Sequence, residues 1–76
     1  MSDPVNKPKH YNVNWKGEQT IEPYDFINSW RMSYAEGNVI KYVSRHKYKG
    51  KALQDLKKAR WYIDRMIQEL EENESR

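Results

Sequence analysis

The sequence contains no cysteine, so it has neither a disulfide framework nor a thiolate metal centre. Histidine is nearly as scarce. His10 and His46 stand far apart in the chain, and a metal would need them together with carboxylates, so neither a metal site nor a cofactor is expected. No apolar run has the length of a signal peptide or a membrane span, and the expectation is a soluble, cytoplasmic protein. Glycine occupies three isolated positions, 17, 37 and 50. Both GxxxxGK[ST] and GxGxxG are missing, which excludes a conventional P-loop enzyme on motif grounds. No Ser-His-Asp pattern can be argued from two unplaced histidines, and no catalytic residue is assigned. Strand-like alternation is essentially absent.

What the chain does have is rings and clustered charge. Three Trp and six Tyr in 76 residues are more large rings than so small an interior hides, which points to an interface or a ligand. One hydrophobic core of this size contributes about 3–5 kcal/mol, and oligomerisation is a common remedy. Net charge is only +3, but it is unevenly placed. Between Lys41 and Arg60 stand eight Lys/Arg against one acid, Asp55; the closing ELEENESR reverses the sign. A basic middle beside an acidic end creates a local positive field suited to phosphate.

Residues 1–19 carry Pro4, Pro8, Gly17 and scattered Asn without apolar periodicity, and read as an extended N-terminal arm. The remainder, 20–73, reads as a helical domain with helices at about 21–31, 34–47 and 51–73. Pro23 sits in the first turn of the first helix. Ser33 and Glu36 form a capping box that starts the second. Ala35, Val39, Val43 and His46 mark its apolar side, while Lys41 and Arg45 lie opposite; His46 reads as a packing residue. Gly50 marks the loop that follows. The third helix shows an apolar stripe of Ala52, Leu56, Ala59, Ile63, Met66, Ile67 and Leu70. Trp61 falls almost opposite that stripe, so it must meet another subunit, the arm or a ligand ring. The expected fold is all-α: a compact three-helix domain with an extended arm, assembled as a homo-oligomer.

One cluster carries chemistry. In GNVIKYVSRHKYKGK, residues Asn38, Lys41, Tyr42 and Arg45 recur at spacings of three and four, along one broad helix face. DLKKARWYIDR follows and adds Lys57 and Trp61. Arg presents a planar fork to phosphate oxygens and Lys a point charge. Asn can read a base edge, and Tyr or Trp can stack on a base. These are the parts of a nucleotide pocket. The plainer readings are that Lys57 and Lys58 are solvated, that Tyr42 is a core-rim residue, and that Trp61 cements a dimer. The same ambiguity attends KPKHY at 7–11, which is either a solvated tail or an arm whose Lys9, His10 and Tyr11 close over a ligand.

The blocks NKPKHYN, IEPYDFI, GN-x-x-KY-x-x-R and DLKKA-x-WY-x-DR, spread over roughly 5–67, resemble a family of small phage-encoded proteins. That family is filed under unknown function and often labelled "nucleotide kinase". The resemblance implies a protein that acts on nucleotides in the cytoplasm of an infected bacterium. Two activities go with it: phosphorylation of nucleoside monophosphates, and sequestration of cyclic dinucleotide immune signals by oligomeric sponge proteins. A kinase must hold two nucleotides and Mg²⁺ and exclude water. Asp55 and Asp64, nine residues apart on one helix, are too distant to share an ion within a subunit. A sponge needs only cations and rings. The sequence therefore favours capture of a cyclic dinucleotide without chemistry, with the kinase as the alternative. The expected ligand-binding residues are Lys9, His10, Tyr11, Asn38, Lys41, Tyr42, Arg45, Lys57 and Trp61. No membrane partner is expected, and the acidic end and modest net charge speak against nucleic acid.

Overall fold

A computed structural model describes residues 16–74. Most of the expected arm, with Lys9, His10 and Tyr11, lies outside them. The described chain is three helices: α1, Pro23–Ser29; α2, Tyr34–Arg45; and α3, Ala52–Glu74. The all-α expectation is met.

α1 is shorter at both ends than its hydrophobic pattern suggested. Pro23 opens it, because the ring's fixed φ suits a first turn where no N–H partner is needed. It closes where Arg31 takes a left-handed φ of 53°. The Arg31 N–H then donates to the Asn28 carbonyl, and the Met32 N–H to that of Ile27, each at 3.0 Å. This is the Schellman arrangement, built with arginine where glycine is usual, so no sequence signal marked it.

α2 begins as its capping box requires. The Glu36 N–H donates to Ser33 Oγ at 3.2 Å, and the Ser33 N–H donates to Glu36 Oε1 at 2.7 Å. Its end falls at Arg45, and Gly50 supplies a positive φ of 77° in the connection to α3. α1 rests on α2 where the backbone is bare: a Cβ added at Gly37 would stand 3.2 Å from Ile27 Cγ2.

α3 packs on α2 along one seam, and here the expected stripe must be corrected. Asp55 and Ala59 are buried, with Tyr62 and Met66 half-buried on the same side. Leu56, Ile63, Ile67 and Leu70, which the sequence placed in the same stripe, lie on a neighbouring face and are exposed. The expected compactness is likewise not reached. Ala59 is the sole buried apolar residue among those described; the other two buried residues, Asn38 and Asp55, are polar. Two helices and a short third cannot enclose the rings and aliphatic chains this sequence carries. Those side chains remain on the surface of the single chain.

Candidate functional site

Tyr42 organises the α2–α3 face. It rises from the middle of α2, and four residues from α3 and the C-terminal half of α2 gather around its ring. Lys41 Nζ and Arg45 Cζ each lie 4.9 Å from the ring centroid, and Lys58 Nζ lies 5.4 Å away. Tyr62 stacks with it, centroids 6.3 Å apart and planes tilted by 17°. Helical geometry explains the convergence. Arg45 stands one turn from both Lys41 and Tyr42 on α2, and Tyr62 one turn from Lys58 on α3.

The rings continue outward. Tyr62 meets Tyr34 edge-on at 6.1 Å and Trp61 edge-on at 5.0 Å. The Tyr62 phenol is held above its ordinary value, first by a hydrogen bond with the Tyr34 side chain and then by partial desolvation. Four rings and three cations therefore form one continuous surface. Cation–π attraction favours this arrangement, because the face of each ring is electron-rich.

One acid enters the cluster. Asp55, 3% exposed, accepts from Arg45 Nε at 3.4 Å and Nη2 at 3.3 Å. This tempers the expected role of Arg45. Its fork is turned toward a buried carboxylate, so the guanidinium is first a structural tie between α2 and α3. The Arg45 side chain still keeps 37% of its surface in solvent. Lys41 and Lys58 have no carboxylate within salt-bridge distance among the described residues and are the freer cations.

Asn38 is also displaced from its expected role. It is buried, and its Nδ2 donates to the Tyr34 carbonyl at 3.0 Å. That bond ties it to its own helix rather than to a base. It borders a groove of about 340 Å³ between α1 and α2, with Lys41 on the rim. Lys57 and Trp61 stand elsewhere, in a broader groove of about 770 Å³ at the start of α3 that is also lined by Lys51, Leu53 and Lys58. Lys58 belongs to both places. It and the Trp61–Tyr62 contact join the groove to the Tyr42 cluster.

The structure thus brings Lys41, Tyr42 and Arg45 together, sets Lys57 and Trp61 on an adjoining wall, and withdraws Asn38. Lys9, His10 and Tyr11 lie outside the described residues. Sequence reasoning missed Lys58, Tyr62 and Asp55 as parts of the cluster. Asp55 had given a signal, as the single acid in a basic stretch. Lys58 and Tyr62, four apart, are legible only once α3 is known to face α2 through Asp55 and Ala59.

Among the described residues, no three His, Asp or Glu side chains gather where a metal ion could sit. Nor is any helix there long and apolar enough to cross a membrane. A family model for proteins of unknown function, DUF3310, matches residues 5–64. The chain belongs to the DUF3310 family. The matched span takes in the arm motif, all of α2 and the first half of α3, and so every residue nominated above. No curated protein and no solved structure matches the chain.

Proposed function

We propose that this DUF3310 protein binds a nucleotide without transforming it, and that its ligand is a cyclic dinucleotide signal. The reading rests on one observation: Lys41, Arg45 and Lys58 surround the Tyr42 ring, with a single buried carboxylate among them. Positive charge beside flat, partly exposed rings suits a ligand that alternates phosphate with base. Lys41 and Lys58 take the phosphates as mobile point charges. Arg45, held by Asp55 and part-exposed, adds a third positive charge at a fixed position. Trp61 and Tyr62 supply stacking area, where each base–ring contact is worth about 1–3 kcal/mol. Lys9, His10 and Tyr11 close over the ligand as the arm docks, and more than one copy of the chain takes part.

Placed with the phage resemblance of its sequence, such a protein works in the cytoplasm of an infected bacterium. It withholds a cyclic nucleotide from the defence that the nucleotide would trigger. The rival kinase reading loses support at Asp55. This carboxylate is buried and engaged by Arg45, so it is poorly placed to hold Mg²⁺ between two nucleotides.

Calorimetric titration with cyclic and linear dinucleotides tests the reading. The expected result is saturable binding of a cyclic dinucleotide, which chromatography recovers chemically intact after the protein is heat-denatured. Incubation with ATP, Mg²⁺ and a panel of nucleoside monophosphates is expected to leave every monophosphate unchanged. Turnover of any of them would replace the sponge with the kinase. Tighter, steeply salt-dependent binding of random DNA or RNA would replace both.

A further inference from the structure

α3 carries two seams, and α2 covers one of them. Asp55, Ala59, Tyr62 and Met66 follow one another at alternating steps of four and three and are buried or half-buried on the side of α2. One residue further along, Leu53, Leu56, Arg60, Ile63, Ile67 and Leu70 follow the same alternation. In this second row the five apolar members range from 40% exposed at Leu56 and Ile63 to 68% at Leu53. Alternating steps of three and four amount to a 3.5-residue repeat, the pattern by which helices pair side by side in left-handed coils. A row of this length and regularity on a charged 23-residue helix is more than scattered surface leucine.

Charge decides what covers it. The first half of α3 and its approach are basic, with Lys51, Lys57, Lys58 and Arg60. The last six helical residues hold Glu69, Glu71, Glu72 and Glu74, and the last turn has no basic residue. Acids at a helix C-terminus oppose the negative end of its own dipole. Within one chain this order is unfavourable. It becomes favourable when a second α3 runs the other way, because the acidic end of each then lies beside the basic, dipole-positive start of the other.

We infer that the exposed seam of α3 is the contact between two copies of this chain, packed antiparallel about a two-fold axis near Arg60 and Ile63. In that register Leu53 of one copy lies against Leu70 of the other, and Leu56 against Ile67. The four outer layers pair apolar with apolar, and the two central ones set Ile63 of one copy beside the aliphatic stem of Arg60 of the other. Arg60, the polar member of the row, falls close to the axis, where Asp64 of the second copy is within reach, and Lys57 flanks that same carboxylate. A C2 contact has to be self-complementary in this way. The seam also gives the apolar side chains that the single chain leaves exposed somewhere to be buried. The tyrosine–cation cluster lies on a different face of α3, so both copies keep it open; Leu53 and Lys57, which line the adjoining groove, belong to the contact as well, and the contact does not depend on the nucleotide reading.

Cysteine pairing tests the arrangement cleanly, since the chain has no cysteine of its own. Residues 53 and 70 are about 25 Å apart along one helix, far beyond disulfide reach. A Leu53→Cys/Leu70→Cys double variant can therefore close a bond only between copies. It is expected to oxidise to a covalent dimer, while Leu53→Cys and Leu70→Cys alone remain uncrosslinked. Sedimentation of the unaltered chain is expected to give a mass of two chains or an even multiple. Ile63→Glu should raise the dissociation constant by about a hundredfold or more. Crosslinking of either single variant would mean a parallel pair and overturn the proposal. So would a monomeric, fully helical chain in which the double variant stays uncrosslinked; that outcome would leave the seam to a different protein.

Discussion

Arg45 grips Asp55 through both Nε and Nη2, at 3.4 and 3.3 Å, while its guanidinium carbon lies 4.9 Å from the centre of the Tyr42 ring. One side chain thus does two things. It neutralises the carboxylate buried between α2 and α3, and it contributes charge to the surface above.

Asp55 is therefore expected to matter for folding before it matters for binding. Breaking a buried ion pair from one side costs up to about 3–5 kcal/mol, and the solvent exposure of Arg45 reduces this. Arg45→Ala, which strands Asp55, is expected to lower unfolding stability by about 1–3 kcal/mol. Asp55→Asn, which keeps the shape and one acceptor, should cost less. Urea titration followed by circular dichroism measures both; an unchanged midpoint for Arg45→Ala would show that the pair contributes nothing.

Binding is better probed at Lys41 and Lys58, which have no carboxylate within salt-bridge distance among the described residues. Lys41→Ala and Lys58→Ala are each expected to weaken cyclic dinucleotide affinity about tenfold, the equivalent of about 1.4 kcal/mol. The unfolding midpoint should stay within about 0.5 kcal/mol, as for most surface changes. Tyr42→Phe should bind almost normally, because the ring face rather than the hydroxyl attracts the cations. Calorimetry on the three variants checks the ranking, and a larger loss in Tyr42→Phe than in the lysine variants would contradict it.

The capping box gives a test that is independent of ligand. Ser33→Ala removes the oxygen that accepts the Glu36 N–H and should cost about 1 kcal/mol. Gly37→Leu should cost more. Even a bare Cβ there stands 3.2 Å from Ile27, so a branched chain pushes α1 off α2. Thermal melts of the two variants decide the order.

Tyr62 predicts behaviour at high pH. Its phenol is raised above 10.0, chiefly through the hydrogen bond with Tyr34. The folded state therefore keeps a proton that the unfolded chain releases. The stabilisation is fully present below pH 10, the unfolded-state value, and is lost as pH rises through the higher folded-state value. Ultraviolet titration of phenolate absorbance should show one late-ionising tyrosine in the native protein. That late component should be absent from Tyr62→Phe and, because the hydrogen bond is lost, weaker in Tyr34→Phe.

Several features were legible from local chemistry. The Ser33–Glu36 box, Pro23 at a helix start, Gly50 in the loop and the breaker-free run of α3 follow from groups a few residues apart. Such interactions do not depend on the rest of the fold. Lys41, Tyr42 and Arg45 were placed on one face for the same reason. The end of α1 was not legible, because arginine holds a conformation that glycine usually signals. The partners of Asn38 and Arg45 were not legible, because a polar side chain on a helix face looks the same whether solvent or a buried partner awaits it.

By itself, then, the sequence determined three helices, the sign of charge along them and a surplus of rings, all properties of short windows of chain. The tertiary structure decided which of two adjacent seams on α3 meets α2. That choice buries Asp55 rather than Leu56, turns Arg45 inward, brings Lys58 and Tyr62 to Tyr42, and leaves an aliphatic row outside. The physical reason lies in the helix itself. Neighbouring seams lie one residue, about 100°, apart on the same helix and both repeat every three and four residues, so only the facing surface of α2, with Arg45 and Tyr42 on it, selects between them.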